Sequence, residues 1–258
     1  MKTLLYIAGA FIAGILMFTS CKKSNVETYQ QDARVYFRIP GEFNASQSRD
    51  SLIYSFPFHP NVTTQDTIWF EADIMGNATT TDREIGINVL TDSSNAKENV
   101  DFKIGSKIMP AGAFKTLIPI VIYKSSPVRD SVLRLQLAVA ENSNFKLGYT
   151  GKTNAIFLWG YKFLKPDNWD PSTTDASKPN YSAAFGSPFS QVRTKFILDS
   201  CHITSLPDPA NRILMANYNQ IIRNALNNYN RGKAFANQLK DENGVNIFFG
   251  VFGGPGLG

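Results

Sequence analysis

Between Arg34 and Trp159, apolar residues return at every second position in one short run after another. A side-chain period of two belongs to a strand buried on one face, and it confines this part of the chain to sheets. Val35-Tyr36-Phe37-Arg38 predicts a short first strand. In Ser51–Phe58, Leu52, Tyr54, Phe56 and Phe58 share a face. In Thr67–Met75, Ile68, Phe70, Ala72 and Ile74 turn one way, while Trp69, Glu71 and Asp73 turn to the apparent solvent side. Ile85, Ile87 and Val89 repeat the rule after the loop Gly76–Arg83. Leu117–Tyr123 is apolar on both faces, which predicts cover on both sides. Pro119 lacks a ladder donor and predicts an edge or a bulge there. Leu133, Leu135, Leu137 and Val139 form one more alternating run, and Ala155, Phe157 and Trp159 the last.

Seven such runs with turn residues between them, spread over about 130 residues, predict an immunoglobulin-like β-sandwich over 34–163. The disulfide of antibody domains is absent, so only the architecture carries over. The chain then changes character. Residues 160–190 are rich in Pro, Gly, Ser, Asn and Asp and read as a long loop. Residues 188–200 predict a short helix with Ser187 as N-cap and Pro188 in its first turn. Asp208–Tyr229 predicts a longer one, capped by Asp208 and stopped by Gly232, with a buried stripe of Ile213, Leu214, Ile221, Ile222, Ala225 and Leu226. Val245–Phe252 is strand-like and the glycine-rich end flexible. The expected fold class is therefore mainly β: a sandwich followed by a smaller loop-rich, partly helical region over 164–258.

The N-terminus predicts where the protein lives. Lys2 supplies a short positive start, and Leu4 to Phe18 is an uncharged apolar run. That length suits a signal-peptide core and is short for a bilayer span. It ends in Thr19-Ser20-Cys21, small residues before a cysteine. The expectation is a signal peptide over 1–20, lipidation at Cys21 and a polar tether over 21–33. Two or three acyl chains on one residue give a durable anchor, whereas one alone binds only marginally.

Composition narrows the function. The formal charge of +5 falls by one with the loss of Lys2 and is spread along the chain, so no basic patch argues for nucleic acid. With Cys21 taken by lipid, Cys201 has no intramolecular partner and reads as a small buried apolar residue. His59 and His202 are far apart, and neither a zinc-binding helix nor a Cys-x-x-Cys pair is present. No nucleophile elbow, phosphate loop or dinucleotide fingerprint occurs. Carboxylate pairs for glycoside hydrolysis are spatial, and Asp82, Glu84, Asp101, Asp167, Asp170 and Asp175 offer candidates without a reason to choose. The reading is a non-enzyme with no cofactor and no metal. Aromatic faces are the remaining candidates for ligand or partner contact: Trp69 on its strand, and Trp169 and Tyr181 in the long loop, where burial as loop anchors is the competing reading.

Two resemblances add to this. Ala96, Asp101-Phe102 and Ala111-Gly112 with the strand Leu117–Tyr123 resemble the Calx-β type of sandwich. That module binds calcium through acidic residues in the following loop. Here the loop reads Lys124-Ser125-Ser126-Pro127-Val128-Arg129, so no metal site is carried over. The mature chain also resembles a family of Bacteroidota lipoproteins encoded beside TonB-dependent importers of the SusC/SusD type. The matching pieces are the lipobox, Tyr36-Phe37, Ser55-Phe56-Pro57-Phe58, Ile74-Met75-Gly76 with Asp82-Arg83, and the Ala96/Asp101-Phe102 block. Farther on come Pro166, Trp169, Phe185-Gly186-Ser187-Pro188-Phe189-Ser190 and Lys195-Phe196-Ile197. The resemblance implies a non-catalytic accessory subunit of a nutrient-uptake system, lipid-anchored to the outer membrane and displayed at the cell surface. Lys22-Lys23-Ser24-Asn25, in place of acidic residues after the cysteine, keeps the periplasmic leaflet open. The alternative is a stand-alone glycan- or peptide-binding lipoprotein.

Overall fold

The computed structural model describes residues 32–252 except 43, 45, 47, 63 and 125–130. The signal peptide, Cys21 and nearly all of the tether expected from the sequence lie outside the described residues, as do the loop after Lys124 and the terminal glycines. The described residues form twelve strands. The long ones are β1 (Arg34–Pro40), β4 (Gln65–Met75), β9 (Lys115–Tyr123), β10 (Leu133–Ala140) and β12 (Asn154–Gly160). The shorter ones are β2 (Ser48–Arg49), β3 (Ser51–Ser55), β5 (Arg83–Glu84), β6 (Gly86–Val89), β7 (Phe102–Ile104), β8 (Ile108–Met109) and β11 (Lys146–Leu147). One sheet runs β11-β1-β4-β9-β7, with β2 paired to β1. A second runs β3-β12-β10-β6, and β5 pairs with β8.

The alternation in the sequence supplies one core between the two sheets. Val35, Phe37 and Ile39 from β1, Ile68, Phe70, Ala72 and Ile74 from β4, and Ile118, Ile120 and Ile122 from β9 meet Leu133, Leu135, Leu137 and Val139 from β10 and Ala155, Phe157 and Trp159 from β12. Aromatic contacts cross the layer: Phe70 to Phe157 at 5.3 Å and Phe102 edge-on to Trp159 at 6.3 Å. Such pairs add to area burial because ring edges meet ring faces. Gly86 is required where β6 meets β10, because a Cβ there would lie 2.1 Å from the Ala140 carbonyl oxygen.

Three readings of the strands change. Phe56 and Phe58 leave the strand in a 3-10 turn over Phe56–Phe58, where Pro57 fixes φ and offers no N–H. Phe56 then fills the sandwich core, while Phe58 packs on the second core described below. β9 is covered on one face only, and Leu117 on the other is 53% exposed. Pro119 sits in an interior strand and not at a sheet edge. Its carbonyl accepts from Gly105 N–H (2.8 Å) just past the end of β7, so its missing donor falls where the neighbouring strand has stopped.

The rest of the chain builds a second core under α1 (Ser182–Phe185), α2 (Gln191–Cys201) and α3 (Arg212–Asn230). It collects Trp169, Tyr181, Phe185, Ile197, Met215, Ile222, Leu226, Ile247 and Phe249. The Leu164 N–H donates to Ser55 Oγ (2.8 Å), fastening the connection to the sandwich. α2 begins three residues later than the Ser187-Pro188 signal, because Ser190 is the N-cap and its Oγ accepts from Arg193 N–H. α3 likewise begins at Arg212, with Asn211 capping Leu214 N–H, while Asp208 caps Ala210 in a preceding turn. Gly232 follows the helix at φ +73, the left-handed stop that a glycine permits.

The predicted α3 stripe is partly misplaced. Ile222 and Leu226 are buried, but Ile213 is 87% exposed and Ile221 lies on the surface. The inward positions are Met215, Asn219, Ile222 and Leu226. Asn219 belongs there because its amide donates to the Ala184 and Gly250 carbonyls (2.6 and 2.8 Å) and accepts from Phe252 N–H (3.1 Å). Near the end of the chain Ile247 and Phe249 are buried and Phe248 between them is exposed, but Val251, next in the same phase, is 58% exposed, so the alternation ends there. This end of the chain packs on the helices, however, and among the described residues its β-pairing is the bridge Lys240–Asn246. Among the described residues, no helix is long and apolar enough to cross a membrane.

Candidate ligand-binding face

The outer face of the six-stranded sheet carries the exposed tryptophan. In the β1–β4 register Tyr36 stands opposite Asp73 and Arg38 opposite Glu71. In the β4–β9 register Trp69 stands opposite Pro119, Glu71 opposite Leu117 and Asp73 opposite Lys115. The alternation that buries Phe37, Phe70 and Ile118 sends all eight of these residues to the other side. Trp69 is 48% exposed there.

The charged part of this face is closely bonded. Arg38 Nε donates to Glu71 Oε1 (2.8 Å), and a second donor, Nη2, reaches the same oxygen. Arg38 Nε also lies 3.6 Å from Asp73 Oδ2, and Lys115 Nζ lies 3.4 Å from Glu71 Oε2. Burial pushes Asp73 up, and the charge of Glu71 and a hydrogen bond with it push further, to about 6. Burial acts the same way on Glu71. The hydrogen bond and charge of Arg38, with the bond from Asp73 and the charge of Lys115, outweigh it and hold Glu71 below the usual range. Tyr36 is pushed up by burial and then by Asp73. The indole therefore shares its face with Glu71, the next outward residue on its strand, and with Arg38 opposite Glu71, while Asp73, Tyr36 and Lys115 lie one outward position farther along.

The other two aromatic candidates lie elsewhere. Trp169 is fully buried and Tyr181 is 2% exposed, so the expectation that they reach a partner is corrected. They are brought together, ring centroids 5.9 Å apart, and Phe189 meets Trp169 edge-on at 4.9 Å. The Ser182 N–H donates to the Trp169 carbonyl and the Tyr181 N–H to that of Asn168. A long loop needs such anchors, and these two side chains supply them. Trp69 stays apart from them on the sheet.

Four of the six carboxylates left undecided by the sequence are held locally, and Glu84 on β5 lies 3.7 Å from Lys107. Asp82 accepts from Ala111 N–H, the buried Asp101 from Lys97 N–H and Asp175 from Ser177, while Asp170 pairs with Lys165. Among the described residues, no group of three or more His, Cys, Asp and Glu could hold a metal ion. Cys201 is half-buried, and burial pushes its thiol up to about 11. A groove of ≈ 440 Å³ runs between Phe163, Val192, Phe196 and Leu239. Its Gln191 amide is spent on the Phe163 backbone at both ends, and its Asp199 pairs with Lys195. Tyr36, Arg38 and Lys115 were not singled out from the sequence. Alternation assigns them a face, but the strand order that puts them on the same sheet face as Trp69 is not written locally.

Among known families, the one described as Domain of unknown function (DUF4843) matches residues 29–200. A search of curated proteins returns no match. Three solved structures illustrate the similar folds. A protein of unknown function from Bacteroides ovatus is 17% identical, with 50% of this chain and 46% of that chain covered and a TM-score of 0.32. A two-domain protein of unknown function from Bacteroides fragilis is 9% identical, with 58% and 51% covered and a TM-score of 0.35. A proposed carbohydrate-binding protein from Bacteroides ovatus is 16% identical, with 51% and 38% covered and a TM-score of 0.33. The chain thus spans at most about half the length of these structures.

Proposed function

Because the chain belongs to the family Domain of unknown function (DUF4843), no activity comes to it from its relatives, and we propose that it is a non-catalytic, lipid-anchored cell-envelope protein that binds a glycan on the outer face of its six-stranded sheet. The observation that carries this reading is Trp69, half exposed on an open strand face and flanked by bonded polar groups. An aromatic plane takes the apolar face of a sugar ring, and the surrounding donors and acceptors take its hydroxyls. Binding of the full chain to immobilised glycans, with Trp69→Ala alongside, tests the reading. It predicts retention by the wild type and at least tenfold weaker retention by the variant.

The second reading is an accessory subunit of a TonB-dependent, SusC/SusD-type nutrient-uptake system at the outer membrane. It is supported by the resemblance and by the buried loop aromatics, which make residues 161–190 an ordered part of the surface. A tether holds such a protein near its partner, so a modest interface suffices. Purification of the tagged protein in mild detergent tests it, and recovery without an importer that is being expressed counts against it. Both readings keep the cell surface as the expected location, with the periplasmic leaflet as the other.

A further inference from the structure

We propose that the stretch from Pro209 to Lys240, built on α3 and the turn after it, is a contact surface for an anionic lipid bilayer. This stretch holds Arg212, Arg223, Arg231, Lys233 and Lys240 and contains no aspartate or glutamate. None of the five forms an ion pair among the described residues. The cations of the sheet face, by contrast, are paired with Glu71 and Asp73. Arg212, Arg231 and Lys233 are exposed. Arg212 lies over the Phe252 ring (5.8 Å) and Arg231 donates to Asn228 Oδ1 (2.8 Å), but no carboxylate among the described residues neutralises this charge, which leaves it to be met from outside.

The same stretch exposes apolar side chains. Ile213 is 87% and Phe235 is 68% exposed, and Ile221 and Tyr229 are also at the surface. Ile213 and Ile221 lie on the side of α3 turned away from its buried residues Met215, Asn219, Ile222 and Leu226. Beyond the helix, Lys233 Nζ rests 3.3 Å above the Tyr229 ring, placing a cation on an aromatic plane. Phosphate headgroups take the cations, and the boundary below them takes the isoleucines and the aromatic rings. A nucleic acid would use the charge but leave Ile213 and Phe235 in water, which decides between the two polyanions. This surface stands apart from the Trp69 face and does not depend on glycan binding.

Lipid-borne quenching on the full chain tests the surface. An azide-bearing residue replaces Ile213, Phe235 or, as the reference on the sheet, Leu117, and carries a fluorophore. Vesicles of phosphatidylcholine, alone or mixed with phosphatidylglycerol, contain brominated lipid. The proposal predicts quenching at 213 and 235 on the anionic vesicles, several-fold weaker without phosphatidylglycerol, and none at 117. Arg231→Glu with Lys233→Glu, both at exposed sites, should abolish the quenching, as should high salt. Equal quenching at all three positions, or none on anionic vesicles, overturns the proposal. So does salt-sensitive retention on polyuridylate or an acidic protein with both probes unquenched. A free Cys21 in the mass spectrum would overturn the lipid anchor and leave this comparison intact, because it is made between positions of one chain.

Discussion

Arg38 and Glu71 stand opposite each other on β1 and β4, and the guanidinium places two of its donors on one oxygen of a carboxylate that is only 7% exposed. The pair ties the first two long strands together on the face opposite the core. It also fixes the polar frame beside Trp69. Removing Arg38 leaves Glu71 largely out of water with only Lys115 and its neighbouring carboxyl. Losing one partner of a buried pair costs about 3 kcal/mol. Arg38→Met should therefore lower the denaturation midpoint clearly, and Arg38→Met with Glu71→Gln should recover part of the loss. An unchanged midpoint for the single variant would show that the pair contributes nothing.

Asp73 makes the same face pH-dependent. Its folded pKa, about 6, lies above the usual carboxylate value, so between about 4 and 6 the folded chain holds a proton that the unfolded chain has released. Stability contributed at this site is full below that window and declines as pH rises through 6. Glu71 works in the opposite sense, since its lowered pKa favours the fold above the unfolded value and the benefit is lost on acidification. Asp73→Asn should stabilise the protein near pH 7.5 and gain little near pH 4. Carbon-detected NMR titration of the Asp73 carboxyl checks the premise, and a midpoint at or below about 4 would contradict it.

Asn219 closes the second core by bonding three backbone groups. Asn219→Ala would strand the Ala184 and Gly250 carbonyls, costing about 2–3 kcal/mol. Ile213→Ala, at an 87% exposed site on the same helix, should change the melting temperature little. Similar losses for both would mean that Ile213 is covered by something in the folded protein.

The lipid anchor is tested at the native N-terminus. Mass spectrometry should find the chain starting at Cys21 with acyl groups attached. Cys21→Ala should leave the membrane fraction, since two or three chains on one residue are what hold it there. An unmodified N-terminus upstream of Cys21 would remove the anchor.

The sandwich was legible because a period of two survives in any strand half-buried against a core. Phe37, Phe70, Leu135 and Phe157 all fell where alternation placed them. Short strands such as Ser48–Arg49 and Lys146–Leu147 were not legible, since two residues carry no period. The position of α3 is legible but its orientation is not, because apolar character is a poor mark of burial on this helix. Asn219 is buried by its hydrogen bonds, and Ile213 is exposed in spite of its side chain. The alternation of its own strand suffices to put Trp69 on the open face. That Tyr36, Arg38 and Lys115 share its face depends on which strands pair, and pairing between strands far apart in sequence leaves no local trace. Trp169 and Tyr181 were indistinguishable from exposed loop aromatics until the core they fill was seen.

The central claim is that a glycan rests on Trp69, and tryptophan fluorescence addresses it directly. Of the three tryptophans in the chain, Trp159 and Trp169 are fully buried and Trp69 is 48% exposed. Collisional quenching by iodide therefore reports on Trp69 alone while the protein is folded. Titrating the full chain with a glycan that it binds should shield this fraction in step with saturation, and Trp69→Ala should have no quenchable fraction to lose. Saturation by the glycan with Trp69 still fully quenchable would place the ligand elsewhere and contradict the account.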